Sequence, residues 1–514
     1  MVPDVRELTV AGVACVLLAC IGLGTGSALL GAEGSEVYGH AWVWWWHGEA
    51  LPAWPEGTDL ASGTGTWPVI DPLPTALGGL LGRLVGHTLA WNLLAILGIA
   101  GAFSGGAFLA RRVGGEPLVG GVVLGLGPIV LGSFASGLTE DWALGLVAVA
   151  LALLISGPAW VAGLLLGLSS WCGLYLALGG AMAALWLGGW RIATDRSSWR
   201  SVVAGGLLAA VLTAPTLLLQ GDRIEGEGHR AGALMEQSEP MWKLNPWKGS
   251  DIASFVTPGR QDPEGALLRR HPTYLGFAAL LLAVAGGRSR WWPVLAGAGV
   301  LALGERLRFA GEPLGLDNPA VTALRAFVPG AELVNHHGRL FLVGQIALAA
   351  LASIGASRLR GRFERPRLAM VGVAALVAAE LAFLSPMALP LPTTPARVDP
   401  IFSSVGEGVV LVVPVAGPGI AYQRPLYEQR AHGQRVLLAP NRPGMPPSVG
   451  GTALGHWLGG LAFSEQPAPS DAVLEQLHGH VDVLVVREAW VEQVTSALGP
   501  PTAEVDGDAL WRVP

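Results

Sequence analysis

Residues 88–110, "TLAWNLLAILGIAGAFSGGAFLA", form an uncharged apolar run long enough to cross the hydrocarbon core of a bilayer as a helix. Similar runs recur from one end of the chain to the other, and no other feature constrains the fold as much. In lipid a backbone can satisfy its polar groups only as helices or as a closed barrel. The runs are too long and too continuous for barrel strands, so the chain reads as a polytopic helical membrane protein. Composition agrees. Of 514 residues 51% are hydrophobic and 14% charged, where an ordinary soluble chain carries about 25% charged residues.

Apolar windows place spans near 9–30, 88–110, 117–135, 141–157, 159–175, 176–190, 201–220, 273–287, 291–304, 339–357 and 368–386, about eleven transmembrane helices in all. Arginine position gives them a direction. With the N-terminus in the cytoplasm, the inner turns hold Arg111 and Arg112, then Arg191, Arg196 and Arg200, then Arg288 and Arg290, and finally Arg358, Arg360, Arg362, Arg365 and Arg367. The short loops on the other side, 136–140 and the turn near 175, hold no basic residue. This is the positive-inside pattern, and an odd span count puts the C-terminus outside. The expected location is therefore the plasma (inner) membrane, multi-pass, with outward loops at 31–87, 221–272 and 305–338.

The leading segment carries Asp4 and Glu7 against Arg6, although "LLAC" at 17–20 looks like a lipoprotein cleavage box. A signal peptide starts with net positive charge, so a retained first helix is expected. Cys15, Cys20 and Cys172 all lie in apolar segments and support no disulfide framework. The formal net charge of −6 gives no footing for nucleic acid as a partner.

After residue 387 the pattern changes. "EGVVLVVPV" and "VDVLVVRE" read as buried strands, "SDAVLEQLHGH" and "AWVEQVTSALG" as helices. Residues 388–514 thus predict a small α/β domain outside the membrane, after a transmembrane domain of 1–387 and a proline-rich linker.

The first outward loop is unusual. "GAEGSEVYGHAWVWWWHGEALPAWPEG", 31–57, holds four glutamates and five tryptophans with no lysine or arginine. The tryptophans predict anchoring at the headgroup level. A carboxylate held there can act as a general base or ligate a divalent cation, Mg or Mn. Glu33 and Glu36 share one face if that stretch is helical. Glu36 fits both a solvated loop and a functional acid, and its loop offers it no lysine or arginine partner.

A second acidic pair, Glu140 and Asp141, sits in the outer turn "SGLTEDWALG". Helix capping is the stronger explanation of acids at a helix start, and a reactive pair gains weight because both acidic sites are assigned to the same side of the membrane. "NHHGRLFLV", 335–343, brings His336, His337 and Arg339 to the outer end of the tenth span. Adjacent histidines point in different directions and make a poor zinc pair. Arg339 either snorkels to the interface or clamps a phosphate through its planar fork. Arg223 and Arg230 in the 221–272 loop are open to the same two readings. Lys243 and Lys248, the only lysines, stand beside tryptophans and read as interfacial anchors. No Walker loop, HExxH, GxSxG or dinucleotide fingerprint stands in a fitting context.

Several stretches, taken in order, resemble the GT-C superfamily of integral-membrane glycosyltransferases, in a large and poorly characterised bacterial branch. They are "GSEVYGHAWVWWWHGEALPAWPEG", "HTLAWNLLAILGIAGAFSGGAFLARRVGG", "YLGFAALLLAVAG", "LALGERLRFAGEPLGLDNPAVTALRAFVPGAELVNHHGRLFLVGQIALAALASIGASRL" and "VVLVVPVAGPG…QRPLYEQRAHGQRV". The resemblance implies a helical bundle whose outward first loop bears the catalytic acid. It also implies a polyprenyl-phosphate-linked sugar donor entering from the membrane, and a glycan, lipid or protein acceptor. By matching position the first acid is Glu36, and the second acidic site Glu140 or Asp141. The chain departs from the pattern in having Glu36 where the first-loop aspartate usually stands, and His-His-Gly before Arg339.

Three functions compete on these grounds. The first is a glycosyltransferase acting on the outer face of the membrane. The second is a non-catalytic scaffold or lipid-linked-glycan-binding protein on the same fold. A transporter is third, because most spans lack the ionisable residues that coupling sites need.

Overall fold

The computed structural model describes residues 5–20, 27–33, 35–50, 71–236, 249–258, 272–328, 331, 334, 336–387, 389–413, 424–437, 452–462 and 469–513. The chain divides into two compact units. One comprises Met1–Gly22, Ile70–Pro74 and Asn92–Pro392; the other comprises Leu23–Val69, Thr75–Trp91 and Thr393–Pro514.

The first unit is helical, and a helix stands in each of the eleven apolar windows. Among the described residues, seven stretches are long and apolar enough to cross a membrane: His87–Arg112, Pro117–Ala135, Thr139–Ser156, Leu174–Thr194, Arg196–Leu218, His337–Arg360 and Pro366–Phe383. The others, such as Ala159–Ser170 and Trp291–Ala302, are shorter apolar helices. Phe341–Arg360 is central, with every residue from Phe341 to Ser353 buried. At the edge, Val203, Leu207, Val211 and Leu218 stay exposed along Trp199–Glu236 at near-helical spacing, as a lipid-facing stripe should. Glycine lets helices touch. A Cβ on Gly163 would lie 2.0 Å from the Gly205 carbonyl oxygen, so helices Ala159–Ser170 and Trp199–Glu236 meet backbone to backbone.

Two buried polar residues repair the helix geometry. The third window is broken at Leu126–Gly127 into Pro117–Gly125 and Pro128–Ala135, since Pro128 has no N–H to continue the ladder. Gln345 fills that break and donates from Nε2 to the Val123 carbonyl at 2.8 Å. Glu380, on Pro366–Phe383, receives the first N–H groups of Phe277–Ala285: Ala278 N at 2.7 Å, and Phe277 N. Tyr274 Oη donates to it at 2.7 Å. This buried carboxylate thus caps a neighbouring helix.

The second unit is built on a four-stranded sheet. Strands Val410–Val413 and Val483–Val486 are parallel neighbours; Asp508–Arg512 pairs antiparallel with Val483–Val486, and Ala503–Val505 with Asp508–Arg512. The first two strands occupy the runs "EGVVLVVPV" and "VDVLVVRE". Alternation sorts their side chains to two faces. Leu411, Val413, Leu484, Val486 and Trp511 enter one apolar cluster; Val410, Val412, Val483, Val485 and Leu510 enter another with Ile401 and Phe402. Burial on both faces explains why the strands read as continuous apolar runs.

The first outward loop differs from its expectation. Residues 31–87 contain two helices, Val37–Ala50 and Pro72–Val85. Ala28–Leu30 pairs antiparallel with Thr393–Pro395, and Thr394 Oγ1 donates to the Gly31 carbonyl at 2.7 Å. Helix Val37–Ala50 then packs into the sheet core: Trp42 and Val43 belong to the cluster of Leu411, Val413 and Trp511. Trp42 and Trp44 are buried in protein, which corrects their reading as headgroup anchors. A tryptophan-rich helix has an apolar surface that serves a protein core as well as an interface, and composition does not separate the two. Trp54 lies outside the described residues, as do Lys243 and Lys248. The 305–338 loop also has structure, a hairpin of Arg306–Phe309 with Glu312–Asp317 followed by helix Pro319–Phe327.

Candidate active site

In the helical unit, the predicted residues Glu140, Asp141 and Arg339 come together. Glu140 and Asp141 lie in a short 3-10 turn, Thr139–Asp141, that leads into helix Leu144–Ser156. Arg339 lies in a second such turn, His337–Leu340, that leads into Phe341–Arg360. Its guanidinium donates from Nη1 to Glu140 Oε1 at 2.6 Å, from Nη2 to Asp141 Oδ1 at 2.7 Å and from Nε to Asp141 Oδ2 at 3.2 Å. All three side chains are at most 5% exposed. Charge buried this deeply persists only when paired and hydrogen-bonded, and the fork of Arg339 does both.

The surroundings complete the arrangement. Tyr175 lies under the guanidinium, its ring centroid 4.2 Å from Arg339 Cζ. Its hydroxyl accepts the His336 N–H at 3.0 Å, fixing the turn that carries Arg339. Ser133 Oγ donates to Asp141 Oδ2 at 2.8 Å. Gly173 approaches Glu140 so closely that a Cβ there would stand 2.7 Å from Glu140 Cβ. His337 is buried, 1% exposed. The acids therefore bind Arg339 across the unit instead of serving as simple helix caps, and no side-chain cap bond is made at either turn.

Asp71, which lies beyond the acidic stretch 31–57, joins this group. It is buried and accepts from Thr139 Oγ1, the residue before Glu140. A carboxylate oxygen of Asp71 and one of Glu140 lie within 4.8 Å of each other. Hard divalent cations take oxygen ligands at about 2.0–2.6 Å, so this pair can share one. Its sequence signal was weak: an aspartate before Pro72, in a stretch with many other acids.

In the second unit, Glu36 directly precedes helix Val37–Ala50, and its carbonyl accepts the His40 N–H at 3.0 Å. Its carboxylate Oε2 lies 3.3 Å from His40 Nε2. The loop thus supplies a partner after all, a histidine one helical turn away, which counting lysine and arginine overlooked. Glu36 remains partly open, 21% exposed, while His40 is 4% exposed. Glu33 lies in the preceding turn, off the helix, and meets Arg424 Nη1 at 3.3 Å. Among the described residues, no group of three ligating side chains includes Glu36. Arg223 and Arg230 fall on helix Trp199–Glu236, but their side chains lie outside the described residues.

No protein-family model matches the chain. No curated protein matches it either. Solved structures do: cryo-EM structures of a mutant arabinofuranosyltransferase AftD from Mycobacteria are similar over 95% of this chain. The class 2 structure has a TM-score of 0.51 at 18% identity; class 1 has 0.48 at 16%. The likeness is one of fold. The chain spans 37% of the length of the AftD chain it matches. At this identity the likeness establishes the fold alone, and the chemistry has to be argued from the residues.

Proposed function

We propose that the chain is a membrane glycosyltransferase of the GT-C type that moves a sugar from a polyprenyl-phosphate-linked donor to a glycan, lipid or protein acceptor on the outer face of the membrane. The shared fold with AftD over 95% of the chain carries this reading. It is supported by carboxylates held at helix starts, where a membrane-delivered donor would arrive. AftD is named for arabinofuranose transfer, so a pentofuranosyl donor is the first to try.

The reaction needs a base and charge compensation. Glu36 takes the proton from the acceptor hydroxyl, whose oxygen attacks the anomeric carbon. The bond from that carbon to the phosphate oxygen breaks, and its electron pair leaves with the polyprenyl phosphate. His40 orients the Glu36 carboxylate. Glu140, Asp141 and Asp71 form the second acidic site, with Arg339 holding the first two in place. His336 and His337 frame Arg339, and Arg223 and Arg230 are candidates to meet the lipid phosphate. A divalent cation, if used, would be held by Asp71 and Glu140 and would supply positive charge at that second acidic site. The N-terminus is taken as cytoplasmic and the C-terminal α/β domain as extracytoplasmic.

The test is turnover by the full chain in lipid nanodiscs. It would use a panel of polyprenyl-phosphate sugars, with free polyprenyl phosphate and glycosylated acceptor as readouts. Release above background with one donor, lost in Glu36→Gln, is the expected result. Tight glycan or donor binding with no release from any donor would replace this reading by the scaffold.

A further inference from the structure

We propose that residues 306–327 of the helical unit form an interfacial membrane element, a hairpin and helix that place apolar side chains in the headgroup–acyl boundary of the bilayer. The inference does not depend on the glycosyltransferase reading. It starts from exposure. Every residue of strand Glu312–Asp317 is exposed, and Phe309, Leu314 and Leu316 are 54%, 45% and 59% exposed. Phe327, at the end of the following helix, is 83% exposed. Large apolar side chains gathered on one protruding element mark a surface that meets something other than water.

The element is held rigidly. A lone two-stranded hairpin is marginal in water. Here the tip residues Ala310 and Gly311 both have positive φ, 52° and 89°, and Asp251 accepts their N–H groups at 3.0 and 2.7 Å. The Ile252 N–H adds a bond to the Arg308 carbonyl at 3.0 Å. The hairpin is therefore fixed to segment 251–252 while its apolar residues stay uncovered.

Its level relative to the bilayer follows from Asn318. That side chain accepts from Ala320 N at 3.1 Å to cap helix Pro319–Phe327, and donates to the Val300 carbonyl at 2.7 Å. Val300 lies in the last turn of the apolar helix Trp291–Ala302 and is 43% exposed. The Asn318 N–H also reaches the Glu305 carbonyl at 2.7 Å. These bonds tie the start of helix Pro319–Phe327 to the end of a short apolar helix, and with that helix set in hydrocarbon the element lies where hydrocarbon gives way to headgroups. Val321 and Leu324 face inward, onto Leu301 and Leu340. Phe327 does not.

The charges identify the occupant further. Arg325 pairs with Glu305 at 2.6 Å, and Arg306 stands opposite Asp317 in register, 4.0 Å away. Residues 305–327 set Arg306, Arg308 and Arg325 against Glu305, Glu312 and Asp317, so the element has no net charge to draw it to an anionic surface, and its apolar side chains supply the affinity. A protein partner at this level would first have to displace lipid.

Spin labels test the proposal in the full chain, purified in nanodiscs of phosphatidylethanolamine and phosphatidylglycerol. The native cysteines would be replaced, and single labels placed by Leu314→Cys, Leu316→Cys and Phe327→Cys. Leu207→Cys serves as the lipid reference and Glu475→Cys as the water reference. Oxygen-to-nickel-chelate collision ratios at the three test sites should approach the lipid reference and exceed the water reference several-fold. Ratios at the water reference would overturn the proposal. So would exclusion of both reagents, which would mean packing against protein. If the cysteine-free chain does not fold, hydroxyl-radical footprinting of the native chain in the same nanodiscs decides. Protection of Leu314, Leu316 and Phe327 supports lipid contact, and their oxidation overturns it.

Discussion

The Trp42 indole Nε1 donates to Gln429 Oε1 at 2.8 Å, joining helix Val37–Ala50 to helix Arg424–His432. Both residues are buried, and Gln429 Nε2 in turn donates to the Gln434 carbonyl at 2.8 Å. Glu36 stands at the head of the same helix as Trp42. Its position therefore rests on contacts within the α/β unit.

Gln429→Ala strands the indole N–H in an apolar core. The expected loss is about 1–3 kcal/mol of unit stability, the usual cost of a buried donor left without an acceptor. Hydrogen exchange over residues 37–50 should quicken in parallel. Unchanged exchange there would show that the helix is held without this bond.

Arg339→Ala leaves Glu140 and Asp141 buried without their cation. Breaking a buried pair from one side costs about 3–5 kcal/mol. SDS-titration unfolding in micelles would measure it, and Asp141→Asn in the same chain should recover part of the loss. Arg339→Lys keeps the charge but cannot reproduce the fork to both acids, so it should fall between.

Glu36→Gln keeps size and hydrogen bonding and removes the charge. If Glu36 is the base, turnover falls by at least ~100-fold while thermal unfolding is little changed. His40→Ala, which removes the orienting partner, should lower turnover less. Wild-type turnover by Glu36→Gln with the true donor and acceptor would leave this loop a purely structural role.

His432 gives the α/β unit an acid limit. Burial pulls its imidazole down from 6.5 to about 4, and Nδ1 accepts the Gln434 N–H at 3.1 Å, which only a neutral ring can do. As pH falls through 6.5 the unfolded chain takes up a proton that the folded ring refuses. This contribution is complete above 6.5 and is lost as pH falls toward 4. The melting temperature of His432→Gln should therefore depend less steeply on pH than the wild type across that window. Parallel curves would remove His432 from the explanation.

Much of this was legible in the sequence, and the reasons differ by element. Spans were readable because hydrocarbon imposes length and apolarity on a helix. The strands at 410–413 and 483–486 were readable because both faces are buried. Glu140, Asp141 and Arg339 were each visible as charges beside apolar windows. Their mutual bonding was not, since Arg339 is 198 residues from Asp141 and no local pattern encodes such a contact. Ser133 and Tyr175 had no signal at all; a serine or tyrosine within an apolar window looks like any other. The first loop was misjudged for a related reason. Its tryptophans have their partners near residues 411, 429 and 511, and the local stretch alone resembles an interfacial belt.

The pairing of Ala28–Leu30 with Thr393–Pro395 and of Trp42 with Gln429 has a consequence for biosynthesis. Trp42 leaves the ribosome 387 residues before its partner. At about 5–20 residues per second, that is a wait of roughly 20 to 80 s. Throughout it the tryptophan helix has no core to enter, while the later membrane helices are still being inserted. The nascent chain thus presents an aromatic segment before the sheet that buries it exists. Chains that stall before residue 393 would carry Glu36 without the strand and helix that hold its own helix in place.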